Sequence, residues 1–114
     1  MAHDEELAAR VRAVLGPAPD LTERRMFGGL AFLVGGRMAV AISGRGGLMV
    51  RCDPDDVPAL LRQAHVAPMQ MRGRDLRGWL LVDPDGLTDE ADLAGWIGIG
   101  TTYAAALPRP GEDD

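Results

Sequence analysis

The sequence contains no lysine, so arginine supplies all 12 basic side chains of the 114-residue chain. This absence excludes a Walker A phosphate loop, a Schiff-base lysine and a lysine general base, because each needs an ε-amino group. A single cysteine, Cys52, rules out an intrachain disulfide. The two histidines, His3 and His65, form no pair with metal-ligand spacing, so we expect no metal and no other cofactor.

The sequence also lacks an apolar run near the roughly 18 residues of a membrane-spanning helix, and it shows no secretory signal. We therefore predict a cytoplasmic protein without membrane contact. With 46% hydrophobic and 25% charged residues, the chain is long enough for one core. The sequence predicts a single domain over residues 1–107, followed by a flexible polar tail over residues 108–114.

Charge is distributed unevenly along the chain. The net charge is −5 and the pI is near 4.9, but residues 1–52 carry seven arginines and only five acidic residues. Nucleic-acid-binding surfaces usually have clustered basic residues and a pI above about 9, so nucleic acid is a disfavoured partner. An arginine patch remains an alternative, because two groups of arginines lie close in sequence: Arg24 with Arg25, and Arg72 with Arg74 and Arg77.

Hydrophobic periodicity and turn signals predict a two-layer α+β fold, in which helices pack on a five-stranded antiparallel sheet. The predicted order is α-β-β-β-α-β-β-α. The Gly35-Gly36 pair supplies the positive φ angles of a tight reversal between the first two strands. The predicted strands span residues 26–34, 38–43, 48–52, 69–71 and 79–82.

The last predicted helix carries three glycines, Gly95, Gly98 and Gly100. Each destabilises a helix interior by about 1 kcal/mol relative to alanine. We expect close packing of this helix on the sheet or on a second subunit to offset that loss, with a kink or break near Gly98 as the alternative.

No catalytic constellation stands out in the sequence. Ser43, the only serine, lacks the Gly-x-Ser-x-Gly setting of a nucleophile elbow. Cys52 has no cationic sequence neighbour that would lower the pKa of its thiol, so a buried, inert cysteine is expected. Asp83 and Asp85 are explained by the Pro and Gly residues of a turn. We therefore expect no catalytic residues.

Two segments with glycines inside or beside strands, residues 24–30 and 71–79, are predicted to form either structural bulges or a recognition surface. Together with the last helix they supply the candidate interaction surface: Arg24, Arg25, Phe27, Gly28, Gly29, Arg72, Arg74, Arg77, Trp79, Gly95, Trp96 and Gly98.

Several motifs occur in an order that resembles the TfoX N-terminal domain family, which is named after a bacterial competence regulator. They are Arg25-Met26-Phe27-Gly28-Gly29, the strand 47–51, the Met71-x-Gly73-Arg74 turn and Gly78-Trp79-x-x-Val82. The resemblance runs from about residue 24 to residue 107. It implies a two-layer α+β domain with a regulatory or interaction role, and it supplies no catalytic residues.

These observations favour a non-enzymatic regulatory module that binds a protein partner or a second copy of itself, with a homodimer as one form. One alternative is a transcription-associated nucleic-acid-binding domain that uses the arginine patch. A second alternative is a small-molecule sensor or an unrecognised enzyme, with a pocket between the helices and the sheet.

Overall fold

The computed structural model describes residues 4–26 and 28–107, in which three helices pack on one face of an antiparallel sheet. Phe27 and the predicted tail over residues 108–114 lie outside the described residues. No helix in the described part of the chain is long and apolar enough to cross a membrane. The elements are α1 (Glu5–Leu15), β1 (Leu21–Met26), β2 (Gly29–Val34), β3 (Arg37–Ile42), β4 (Leu48–Arg51), α2 (Val57–Leu60), β5 (Val66–Met71), β6 (Arg74–Val82) and α3 (Glu90–Ala106).

The mixed α+β class is confirmed, but the prediction of five strands was wrong. The sheet has six strands, and the element order is α-β-β-β-β-α-β-β-α. The predicted first strand over residues 26–34 begins within β1, and the chain reverses before Gly29 opens β2. Because β1 lies at the sheet edge and its four central residues are exposed, it lacks the apolar alternation that identifies a half-buried strand.

The strand order in the sheet is β1-β2-β3-β4-β6-β5, and every neighbouring pair is antiparallel. The predicted reversal at Gly35-Gly36 is confirmed, with φ angles of 60° and 86°. The β5–β6 hairpin closes through Arg72 and Gly73, whose φ angles of 56° and 80° are those of a type I′ turn. The register of this hairpin shifts between Pro68 and Gln70.

The core lies between the helices and one face of the sheet. Phe32, Val40 and Leu80 are fully buried there, and Leu93 and Ile97 of α3 pack against the same cluster. All three helices contribute to this cluster. On the opposite face, a smaller cluster consists of strand residues only: Ala31, Leu33 and Ala41, with Met26, Met38 and Met49 packed against them. We call this second surface the open face.

The three glycines of α3 have different surroundings. A Cβ on Gly100 would overlap the Ala39 carbonyl oxygen and lie 2.7 Å from Val40 Cγ1, so this glycine lets the helix backbone approach β3. Close packing on the sheet does not explain Gly95 or Gly98, because a Cβ on either would meet no other atom of the described chain within 4 Å. The alternative of a break near Gly98 was wrong, since α3 is continuous from Glu90 to Ala106.

Candidate binding site: a methionine-lined groove

A groove of about 620 Å³ crosses the open face of the sheet. Five of the six methionines in the chain line it: Met26, Met38, Met49, Met69 and Met71. Its volume lies within the roughly 300–1,000 Å³ that is usual for ligand pockets. Thioether side chains are flexible and polarisable, so they adapt to occupants of different shape. We call this site the methionine groove.

Small residues make the floor of the groove low at one end. Gly29, Ala41 and Gly44 all line it. The backbone after β1 lies directly against the β3–β4 turn, because a Cβ on Gly44 would be 2.7 Å from the Gly28 carbonyl oxygen. A Cβ on Gly29 would overlap the Ile42 carbonyl oxygen. Gly28 and Gly29 of the candidate surface therefore lie in close backbone packing beside the groove.

The β5–β6 hairpin supplies the other end of the groove. Met26 and Met71 belong to β1 and β5, the opposite edge strands, yet both line the same groove. The register shift near Met69 gives β6 extra residues relative to β5, which bends a hairpin. We attribute the concavity of the open face to this bend and to the small residues of the floor.

Two arginines, Arg45 and Arg72, lie at the groove, and none of the described residues that line it is Asp or Glu. Both arginines are exposed. In the described part of the chain, neither guanidinium forms an ion pair. The groove therefore combines an apolar lining with two arginines that form no ion pair with the described residues, although the chain as a whole is acidic. The carboxylate on the β5–β6 hairpin, that of Asp75, accepts a hydrogen bond from the lining residue Gln70 at 2.9 Å.

Arg51 occupies a different environment at the end of β4. Its guanidinium carbon lies 5.9 Å from the ring centre of Trp79 and 5.8 Å from that of Tyr103. Its Nη1 also donates a hydrogen bond to the Met38 carbonyl oxygen at 3.4 Å. Both aromatic distances fall within the range of cation–π contacts. Arg51 thus helps to hold Trp79, which lines the groove and is half-buried.

The arginines proposed for a nucleic-acid patch lie in two separate places. Arg24 and Arg25 are consecutive residues of β1, so their side chains project to opposite faces of the sheet. Arg72, Arg74 and Arg77 belong to the tip and second strand of the β5–β6 hairpin. All five are exposed. The structure brings Arg72 to the groove, and it does not place the two groups on one contiguous strand edge.

The candidates on α3 lie on the other side of the sheet. Trp96 is 6% exposed and belongs to the main core cluster. Gly95 is exposed, and Gly98 lines a depression of about 350 Å³ between α1 and α3. The exposed Val14 lines the same depression. Trp96 therefore has a packing role, while Gly95 and Gly98 leave a low surface on the helices.

Two nucleophilic side chains have local structural roles. Cys52 is 1% exposed, and burial, followed by the negative charges of Asp56 and Asp53, raises the pKa of its thiol. A raised pKa disfavours the reactive thiolate. Ser43 accepts a hydrogen bond from the backbone N–H of Arg45 at 3.1 Å, which fixes the β3–β4 turn.

The structure also brings together three potential metal ligands. His65, Asp83 and Asp85 each place one ligand atom within 4.8 Å of the others, and all three side chains are exposed. Sequence spacing did not reveal this group, because His65 lies far from the two aspartates along the chain. The group offers three ligand atoms, fewer than the four protein ligands of a structural zinc site.

The groove lies within a stretch of sequence that matches a known family. A model of the TfoX N-terminal domain matches residues 13–104. The chain belongs to this family. The match to the TfoX N-terminal domain includes all six strands and every residue that lines the methionine groove. Comparisons with curated proteins and with solved structures found no match.

The groove-lining methionines and Arg45 were absent from the predicted interaction surface, which included Trp79 and Arg72. One signal was available: Met49 lies between Leu48 and Val50, whose side chains enter the core. Strand alternation therefore directs Met49 to the opposite face. That signal identifies single strand positions, but the groove depends on contacts between strands that are distant in sequence.

Proposed function

We propose that this TfoX N-terminal domain is a non-catalytic regulatory module that binds a protein partner on the open face of its sheet. The observation that carries the proposal is the methionine groove on the face that no described helix covers. Family membership supports a regulatory role.

The side chains of the groove suit contact with a protein. Methionines provide an adaptable apolar surface, and Trp79 supplies an aromatic anchor of the kind enriched at interface hot spots. Arg51 restrains the Trp79 ring through its cation–π contact, which reduces the entropy lost when a partner packs against it.

The environments of the Cys52 and Ser43 side chains support the interpretation that the domain is not a catalyst. Cys52 lies in the core with a raised pKa, and Ser43 is engaged in a turn. Between the helices and the sheet, where a sensor or enzyme pocket was one alternative, side chains such as Phe32 and Leu80 are packed. The depression of about 350 Å³ at α1 and α3 has Asp20 as the one charged residue among its described lining.

A matched pair of variants tests the proposal. Met49→Glu places a charge in the groove, and Val14→Glu makes a similar apolar-to-acidic change at the exposed site on α1. The full chain and both variants are used as bait in lysate of the source cells, after circular dichroism melts show that all three are folded. We expect wild type and Val14→Glu to retain the same proteins, and Met49→Glu to lose them.

The opposite pattern contradicts the proposal. If Val14→Glu loses the retained proteins and Met49→Glu keeps them, the partner binds the helical side. Retention of the same proteins by all three chains places the contact elsewhere. A wild-type chain that retains no protein above an unrelated bait removes the proposed function altogether.

A further inference from the structure

The positive charge of the methionine groove favours some kinds of binding partner over others. Arg45 and Arg72 line it, no carboxylate does so among the described residues, and Arg24 lies on the same face of β1. Burying an unpaired guanidinium under an apolar occupant is unfavourable, whereas an opposing carboxylate forms a charge-assisted hydrogen bond with it. An occupant with acidic groups beside its apolar surface therefore fits this site.

A second copy of the chain fits poorly on the open face. A two-fold dimer presents the same patch on both sides of its interface, so two concave surfaces would face each other. Neither could fill the other. The unneutralised charges of Arg45 and Arg72 would also meet the same positive charges across the axis.

Nucleic acid also fits less well than protein. Phosphates would neutralise Arg45 and Arg72, but the sugar-phosphate backbone offers little to pack against five methionine side chains. Amphipathic protein helices, in contrast, bind through an apolar face laid into a hydrophobic groove. Their flanking positions are free to carry acidic residues.

We infer that the methionine groove binds an acidic amphipathic helix of a partner protein, with apolar residues against the methionines and carboxylates against Arg45 and Arg72. This inference rests on the proposed function and names the chemistry of the partner. Met49 and Trp79 contact the apolar face of the helix, and the two arginines determine which charge is accepted.

Two synthetic peptides test the inference on the full chain. Both have about 18 residues and the same leucine face; one carries glutamate at the flanking positions and the other carries lysine. Fluorescence anisotropy of the labelled peptides measures binding. We expect the acidic peptide to bind about tenfold or more tightly than the basic one, and its affinity to fall between about 50 mM and 500 mM salt.

Charge-reversal variants assign the effect to the groove. Arg45→Glu and Arg72→Glu are each expected to weaken the acidic peptide about tenfold. Arg62→Glu makes the same change at an exposed arginine outside the groove and is expected to have little effect. All three sites are exposed, so the folded state should tolerate them.

Several results would overturn the inference. The first two are equal affinity for the two peptides and no binding of the acidic peptide. The third is a loss of affinity for the acidic peptide in Arg62→Glu as large as the loss in Arg45→Glu or Arg72→Glu. The fourth is a single-stranded oligonucleotide that competes with the acidic peptide and binds more tightly. If the peptides fail while Met49→Glu still loses the proteins retained from lysate, the proposed function stands and only the acidic helix is wrong. If both experiments fail, neither idea stands.

Discussion

At the scale of single residues, glycine serves different purposes within one helix. Gly100 has no room for a side chain, because α3 lies directly on the backbone of β3 at Ala39. Gly95 is exposed, and nothing lies within 4 Å of where its Cβ would be. The same residue type is thus required by packing at one position and destabilises the helix at the other.

This contrast predicts opposite effects of the same substitution. Gly100→Ala should lower the free energy of unfolding by about 1–3 kcal/mol, because the added methyl group overpacks the contact with β3. Gly95→Ala should raise it by about 0.5–1 kcal/mol through helix propensity. Urea denaturation of both variants measures the change. A Gly100→Ala protein as stable as wild type would show that α3 does not lie this close to the sheet.

At the scale of elements, the parts that could be predicted from sequence are those with local signals. Gly35-Gly36 marks its turn because two positive φ angles are needed there, and the apolar spacing of α1 places Leu7 and Val11 in the core. The strand β1 gave no such signal. Its exposed residues, such as Arg24 and Arg25, resemble a loop, and only pairing with β2 makes them a strand.

The β5–β6 hairpin provides a prediction at this scale. Arg72 adopts a φ of 56°, a left-handed conformation that L-residues other than asparagine and aspartate rarely adopt. Arg72→Asn should therefore raise the free energy of unfolding by about 0.5 kcal/mol, since Asn-Gly is a favoured type I′ pair. The same variant should bind the acidic peptide more weakly, because it removes a groove charge.

Arg74→Asn is the matched control for this hairpin. Arg74 opens β6, where asparagine is disfavoured, so its replacement should leave stability unchanged or lower it. Chemical denaturation of the two variants separates the effects. Equal stability changes at both positions would show that the turn conformation of Arg72 carries no strain.

At the scale of the whole molecule, three helices cover one face of the sheet, and none of the helices in residues 4–26 and 28–107 covers the other. The layer of helices could be predicted from the sequence, because apolar helix residues require a sheet to cover. The groove could not, because it needs the order β4-β6-β5 and the bend of the hairpin to bring Met26 and Met71 to one site. Those features are set by pairing over long sequence distances.

The most direct test of the open face as the docking surface is a methyl NMR titration. The full chain carries labelled methionine and leucine methyl groups, and the acidic peptide is the titrant. We expect the methyl signals of Met38, Met49 and Met69 to shift or broaden, while that of Leu93, a residue of α3 buried against the sheet, stays in place. Unchanged methionine signals at saturating peptide, or shifts confined to the helical side, would contradict it.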